Sequence, residues 1–343
     1  MKKLLALLFL ATSLFAQQPP QRVIVRAGGD KNNDDATRDW PKLQATATAT
    51  DDARAAALGA YLDALVARDL FSGTVLLARD GKPLFFKSYG MANKEWSVPN
   101  TNDTKYNIGS INKFFTNIAL RQLHDAGGLD YDKTVRAYLP DFPSPAADRI
   151  TIKQLMEHRS GLGDIFGPDY AATPKNKLRT LADYVPLFAG KPLQFEPGAQ
   201  QRYSNAGYIV LGLIIEKLSG ESYYDYMREH VFKPHGMMAT DSYALEDVVP
   251  RRATGYSQGH PNVYTLPARG SSAGGGYSTA EDLLRLVASL PKQGLGIAGG
   301  SPGVNAAVET AGDWQLIVLA NYDPPVAEEI ASNVRKMLGV SGD

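Results

Sequence analysis

The spacing of apolar residues divides the chain into helix-like and strand-like stretches. Ile111, Phe114, Phe115, Ile118, Ala119 and Leu123 recur at intervals of three, four and seven, the rhythm of a helix burying one face, and Gly127-Gly128 stops it. The same reasoning predicts a helix near 52–68, one along the apolar run from Tyr208 to Leu218 that Gly220 ends, and a terminal helix over 325–338. A further helix is expected after Ser278-Thr279-Ala280-Glu281, read as a capping box. Strands fall at 72–90, folded into a hairpin at Asp80-Gly81, and near 303–310 and 314–322. Strands at both ends with a mostly helical middle from 110 to 250 imply an α/β (α+β) architecture whose antiparallel sheet is assembled from distant segments.

The N-terminus has a different character. Lys2-Lys3, an apolar core from Leu4 to Phe15 and the small residue Ala16 read as a signal peptide over 1–16, cleaved near Ala16 and too short to be a stable membrane anchor. A periplasmic or secreted location is therefore expected. Residues 17–50 carry Pro19-Pro20, an Asn/Asp run and alternating Ala-Thr from Ala45 to Thr50, and read as a disordered linker. Residues 51–343 are long enough for one large domain of two lobes, an α/β lobe of about 51–105 and 268–343 and a helical lobe of about 106–267.

Charge and cysteine content narrow the chemistry. Lys and Arg number 36, Asp and Glu 36, so nothing argues for nucleic acid, and a small-molecule or peptide substrate fits better. The absence of cysteine excludes disulfides, zinc-thiolate sites and a thiol nucleophile. His124, His158, His230, His235 and His260 lack metal-ligand spacing, so neither a metal nor another cofactor is expected, and His158 is read as packing beneath the site loop. Oligomeric state is left open.

Ser110-Ile111-Asn112-Lys113, after Gly109, carries the candidate chemistry. A serine is a poor nucleophile until a base takes its proton, and a lysine three residues on shares its helical face. At a helix N-terminus the dipole and burial both disfavour a protonated amine, which lowers the Lys113 pKa toward a working base. Alone, the pair is equally an N-cap followed by a surface lysine. Tyr203-Ser204-Asn205, at a loop-to-helix junction, adds a phenol able to shuttle protons if a cation lowers its pKa, and a carboxamide able to orient the lysine.

With these motifs in place the chain resembles the serine hydrolase superfamily of class C β-lactamases, penicillin-binding DD-peptidases and β-lactamase-like esterases. The ordered matches run from about 55 to 340: Phe71-Ser72-Gly73-Thr74-Val75, Tyr106 to Ser110, Leu155 to Leu162, Tyr203 to Asn205, Gly274 to Thr279 with Asp282, and Gly299 to Gly303. The resemblance implies the β-lactamase/transpeptidase-like fold, with the site between an α/β lobe and an all-helical lobe. It makes Ser110 the acylated nucleophile, Lys113 and Tyr203 its proton-transfer partners and Asn205 a substrate-positioning side chain. It places the oxyanion between the N–H groups of Ser110 and Gly300, beside Gly299.

Two departures stand out against that family. Ile297 occupies the place of a lysine or histidine two residues before a glycine, so a cation that steers carboxylates and tunes Tyr203 is missing, unless another group such as Arg269 supplies it. Only Leu283 to Gly296 separates the Asp282 segment from this third motif, which shortens one wall of the cleft. The expectation is an exported serine hydrolase acting through a Ser110 acyl-enzyme on an ester, amide or β-lactam carbonyl. The alternative is a catalytically impaired peptidoglycan- or peptide-binding protein of the same fold.

Four other patterns carry less. Ser289-Leu290-Pro291-Lys292 repeats the serine-lysine spacing, but Pro291 interrupts the helix it needs. Gly255-Tyr256-Ser257-Gln258-Gly259 matches a nucleophile elbow without the strand and helix that must flank it. Gly294, Gly296 and Gly299 fit a dinucleotide fingerprint, yet Ser301-Pro302-Gly303 follows where a helix should begin. Asp30 to Asp35 starts like a calcium loop but lacks its turn glycine and closing glutamate.

Overall fold

The computed structural model describes residues 39–45, 47–292 and 294–340. The signal peptide read at 1–16, most of the linker read at 17–50 and the calcium-like run lie outside them.

Five strands form one antiparallel sheet: β1 (Gly73–Arg79), β2 (Lys82–Tyr89), β3 (Leu295–Ser301), β4 (Val304–Ala311) and β5 (Trp314–Ala320), in spatial order β2-β1-β5-β4-β3. Asp80 and Gly81, at φ 49° and 72°, make the tight β1–β2 turn that the Asp-Gly pair predicts. Gly73 pairs with Ala320 and Arg79 with Trp314, joining the N-terminal hairpin to strands more than two hundred residues away. No side chain fits at Gly73, where a Cβ would stand 2.0 Å from the Leu319 carbonyl oxygen.

Both sheet faces are covered, which is why the inner strands read as continuous apolar runs instead of alternating. Val75, Leu77, Leu316 and Val318 face the flanking helices α1 (Asp51–Ala67) and α5 (Val326–Leu338). Leu76, Ala78, Ile317 and Leu319 face the other way, toward the helix at Ala280–Ala288 and the core it shares with the helical lobe. Helix α1 starts at Thr50, whose hydroxyl caps the Ala53 N–H, and buries Leu58, Leu62 and Leu65. Each of those leucines contributes about 1.5–3 kcal/mol of burial.

The helical lobe is built on α2 (Asn112–Asp125) and α3 (Asn205–Ser219), which pack against each other. Gly127 at φ 78° and Gly220 at φ 73° end them as expected. The middle of the chain is less helical than its sequence suggested. Between these helices lie short turns set off by prolines: Pro140 follows one, Pro145 and Pro168 open two others and Pro186 lies inside a fourth, and each lacks the donor a longer helix would need there.

Three boundaries differ from expectation. Ordered packing begins before residue 51, since Trp40, Leu43 and Ala45 lie against the α1–α5 layer. The segment around 251–262, placed by the sequence in the helical lobe, docks on the α/β lobe: Asn321 Nδ2 donates to the Thr254 carbonyl at 2.8 Å, and the Tyr256 N–H donates to that of Asn321. Helix α4 (Ala280–Ala288) is capped by Thr279, whose hydroxyl accepts from the Asp282 N–H, one residue later than the capping box read at Ser278. Asp282 is buried and ties α4 to the Ala239 N–H and the Thr240 hydroxyl, each at 2.8 Å, so its role is structural.

Candidate active site

Ser110 lies in a one-turn 3-10 helix, Gly109–Ile111, that leads into α2. The serine therefore sits just ahead of the α-helix instead of opening it. Gly109 takes φ 51°, its N–H donates to Asn107 Oδ1 at 2.9 Å, and the Ile108 N–H donates to the Gly276 carbonyl at 2.9 Å. Asn112 fastens the other side, giving its Nδ2 to the Ser271 carbonyl at 3.0 Å and accepting from the Gly276 N–H at 3.2 Å. The loop 271–276 is thereby held against the first turn of α2, with the Ala273 carbonyl turned toward Lys113.

The Lys113 side chain is buried, and its Nζ has three partners: Ser110 Oγ at 3.3 Å, Asn205 Oδ1 at 2.7 Å and the Ala273 carbonyl. Burial drives its pKa down to about 7, against an upward pull from the charge of Asp164. The partner set favours one arrangement of the neutral amine. Two partners are carbonyl-type oxygens that only accept, so the two remaining N–H bonds go to them. The lone pair then faces Ser110, the one partner with a proton to give.

Tyr203 places its hydroxyl 2.7 Å from Ser110 Oγ and 3.3 Å from Asn205 Oδ1. Burial raises this phenol far above its usual range, so the condition named in the sequence reading, a cation that lowers it, is not met. Lys113 Nζ does lie 4.7 Å from the Tyr203 ring centroid, over the ring, yet desolvation dominates and the phenol keeps its proton.

Behind the phenol, the His158 ring lies 4.7 Å from that of Tyr203 and 5.2 Å from that of Tyr208. Its Nδ1 accepts from the Ser204 N–H at 3.2 Å, which fixes the tautomer. Burial, together with the Lys113 charge, lowers its pKa to about 4, so the ring is neutral and packs beneath the site as read.

The edge strand β3 supplies the opposite wall. Ser301 pairs with Val304 across the two-residue turn Pro302-Gly303, and alternate pairs along an antiparallel ladder exchange hydrogen bonds. The next pair, Gly300 with Asn305, consequently turns the Gly300 N–H off the sheet edge toward Gly109-Ser110. The approach is close: a Cβ on Gly109 would stand 2.9 Å from the Gly300 nitrogen, and one on Gly299 2.8 Å from the Ser110 nitrogen. The Gly300 and Ser110 nitrogens thus lie on the two sides of this close contact, where two backbone donors can serve one oxyanion.

Ile297 shares the Gly299 face of β3 and packs against the helical-lobe core. It brings no charge there. Arg269 does not replace it: its Nε donates to the Ser242 carbonyl at 2.6 Å and its guanidinium stacks 3.6 Å from the Tyr224 ring centroid.

The structure brings together Ser110, Lys113, Tyr203, Asn205, Gly299 and Gly300. It adds two groups that the sequence analysis missed, the Ala273 carbonyl and Asp164, whose carboxylate accepts from Asn205 Nδ2 at 3.0 and 2.9 Å. The second serine-lysine pair and the elbow-like pattern lie elsewhere. Lys292 pairs with Asp80 and Asp313 at the far end of the sheet, and Ser257 lies in a two-residue strand pair with His260. Among the described residues, no group of three or more His, Asp or Glu is placed to hold a metal ion, and no helix is long and apolar enough to cross a membrane.

A mixed fold with an antiparallel sheet, a helical lobe against one sheet face and a serine-lysine-tyrosine cluster at the edge strand is the architecture of the β-lactamase/transpeptidase-like proteins. Residues 52–333 match the Beta-lactamase family model, and the chain belongs to that family. Penicillin-binding protein 4* of Bacillus subtilis (strain 168) is 35% identical over 204 residues, covering 57% of this chain and 44% of that protein. The chain spans about half the length of the curated relatives it matches. A penicillin binding protein from Bacillus halodurans superposes with a TM-score of 0.73 at 29% identity, covering 80% of this chain and 99% of that one. A class C beta-lactamase superposes at 0.71 with 18% identity, over 86% and 99% of the two chains, and shares the fold.

Proposed function

We propose that the protein is an exported serine hydrolase that works through a Ser110 acyl-enzyme. The observation that carries this reading is the contact of Lys113 Nζ with Ser110 Oγ at 3.3 Å while its other two partners are pure acceptors. In the first step neutral Lys113 takes the Ser110 proton as Oγ bonds to the substrate carbonyl carbon. The carbonyl oxygen becomes an oxyanion held by the Ser110 and Gly300 N–H groups, each such donor contributing about 10²–10³ in rate. As the tetrahedral species collapses, the bond to the leaving group breaks and Tyr203 gives that group its proton, regaining one from Lys113. Water then attacks the acyl carbon by the reverse relay, and Ser110 departs with its proton restored.

The substrate class proposed is a small neutral ester or amide. Ile297 supports it, because a substrate carboxylate would find no fixed cation on the β3 face of the site, and a charge left unpaired there costs binding. Export rests on the composition of residues 1–16.

Intact mass after incubation with a fluorophosphonate or a penicillin tests the first step. One adduct is expected, absent in Ser110→Ala; no adduct with either probe would instead support a peptide-binding role. Comparing short-chain p-nitrophenyl esters with a chromogenic cephalosporin tests the substrate class, and faster cephalosporin turnover would overturn it. A mature N-terminus near Gln17 on protein recovered outside the cytoplasm tests export.

A further inference from the structure

Asp164 belongs to no motif of the sequence analysis, yet it holds the side chain that, besides Ser110 itself, touches both proton carriers. Asn205 Oδ1 accepts from Lys113 Nζ at 2.7 Å and from the Tyr203 hydroxyl at 3.3 Å. A carboxamide is nearly symmetric in shape, and rotating it by half a turn would set an NH₂ against the amine and the phenol, donor against donor. What blocks that rotation is on the far side: both Nδ2 contacts, at 3.0 and 2.9 Å, go to the two oxygens of Asp164, which as a carboxylate can only accept.

We propose that Asp164 is a positioning residue for the acyl-transfer site, holding Asn205 with its oxygen toward Lys113 and Tyr203 and setting the charge balance of Lys113. The proposal rests on the reading of Lys113 as the base.

The loop that carries Asp164 is fixed independently of the amide. The Phe166 N–H donates to Asp164 Oδ1 at 3.2 Å, the Ser204 hydroxyl donates to the Gly163 carbonyl at 2.8 Å, and the Gln194 N–H donates to that of Gly161 at 2.8 Å. Gly161 stands at φ 77° with no room for a Cβ, which would lie 2.1 Å from the Phe195 carbonyl oxygen. Ser204 also caps α3, so one hydroxyl sets both the helix that bears Asn205 and the loop that bears Asp164. The groups facing Lys113 are Asp164, His158, Tyr203 and Tyr208; the histidine is neutral and both phenols keep their protons, which leaves Asp164 as the charge acting on it.

The sign of the effect follows. Asp164 favours the ammonium and holds the Lys113 pKa up, while catalysis needs the amine. Removing the charge moves the acidic limb of activity to lower pH, and loosening the amide lowers the rate on the plateau.

The test is the pH profile of kcat/KM for p-nitrophenyl acetate and of fluorophosphonate labelling, with folding checked by circular dichroism and thermal melting. Asp164→Asn, close in shape, is expected to shift the limb down by about one pH unit and lower the plateau at least tenfold. Asp164→Glu keeps the charge and displaces the contact, so its limb is expected to stay near the parent's while the plateau falls. In an Asn205→Ala background, Asp164→Asn should still move the limb but cost little further rate. An Asp164→Asn profile that matches the parent overturns the proposal, as does a lower plateau with an unmoved limb, the result of a merely structural role. Failure of the functional reading looks different: the parent itself would take no label at Ser110.

Discussion

Lys113 Nζ lies 2.7 Å from Asn205 Oδ1 and 3.3 Å from Ser110 Oγ, so the amine is held more closely by a group that cannot receive its lone pair than by the serine. The geometry keeps the basic electron pair for the serine. Lys113→Met retains the stem and removes the base, and kcat/KM for a p-nitrophenyl ester is expected to fall by about 10²–10⁴. Intact-mass labelling of Ser110 should slow in parallel. A variant within tenfold of the parent would show that another group takes the proton.

The pH dependence follows from the protonation state of the same amine. With the Lys113 pKa lowered to about 7, kcat/KM should rise as pH increases through about 7 and level off above it. Tyr203 holds its proton throughout that range, because burial raises it. Tyr203→Phe is therefore expected to lower the plateau by about 10²-fold without moving the limb. A limb that moves with Tyr203→Phe would assign the titrating group to the phenol.

Ser110 and Lys113 were legible in the sequence because their contact is local: residues three apart near a helix start must share a face. Gly299 and Gly300 were legible through the family resemblance, and the β3 register gives them their physical reason. Asp164 and the Ala273 carbonyl were not legible. One reaches Asn205 from a loop forty-one residues away, and the other is a backbone group that carries no side-chain signature. The burial that keeps Tyr203 protonated was not legible for a related cause, since it depends on how the helical lobe closes over the site, and no local pattern records that. The helix content of the middle segment was overestimated because apolar runs persist across prolines that the backbone cannot carry through a helix.

The close approach of β3 to the serine gives a steric test of the oxyanion site. An Ala at Gly299 would place its Cβ 2.1 Å from the Ile108 carbonyl oxygen and 2.8 Å from the Ser110 nitrogen, so backbone must move. At Gly300 the Cβ would meet the ring of Pro324 on the opposite face. Gly299→Ala is expected to cost at least about 10² in kcat, the scale of one lost oxyanion donor. Thermal melting should show it folded. Gly300→Ala should be milder, and equal losses in the two variants would argue against the geometry.

His158 makes a prediction about stability. Its pKa is about 4 in the folded protein against 6.5 for the free side chain, so the unfolded chain binds the proton first. Stability from this group is fully present above pH 6.5, falls as pH drops from 6.5 to 4, and is level below that. The loss amounts to about 3 kcal/mol. Asn at this position tolerates φ 57° and can accept from the Ser204 N–H, so urea unfolding of His158→Asn at pH 7 and pH 4.5 should show a smaller decline than the parent.

Ile297 tests the substrate reading. Its side chain shares the face of β3 with Gly299, the glycine that stands against Ser110. A lysine or histidine there would offer a charge to a carboxylate and impose little on a neutral ester. Ile297→Lys and Ile297→His are expected to raise kcat/KM for carboxylate-bearing β-lactams or peptides by at least tenfold, mostly through KM, while turnover of p-nitrophenyl acetate changes less than threefold. A pair bound by charge in a partly open site contributes about 1–3 kcal/mol, which is the size of that gain. Arg269 is committed to Ser242 and Tyr224, so Arg269→Gln should leave the selectivity between the two substrate classes unchanged. If instead Arg269→Gln weakens carboxylate substrates and the Ile297 variants do nothing, the missing charge is supplied through a rearrangement of that arginine, and the preference for neutral esters loses its basis.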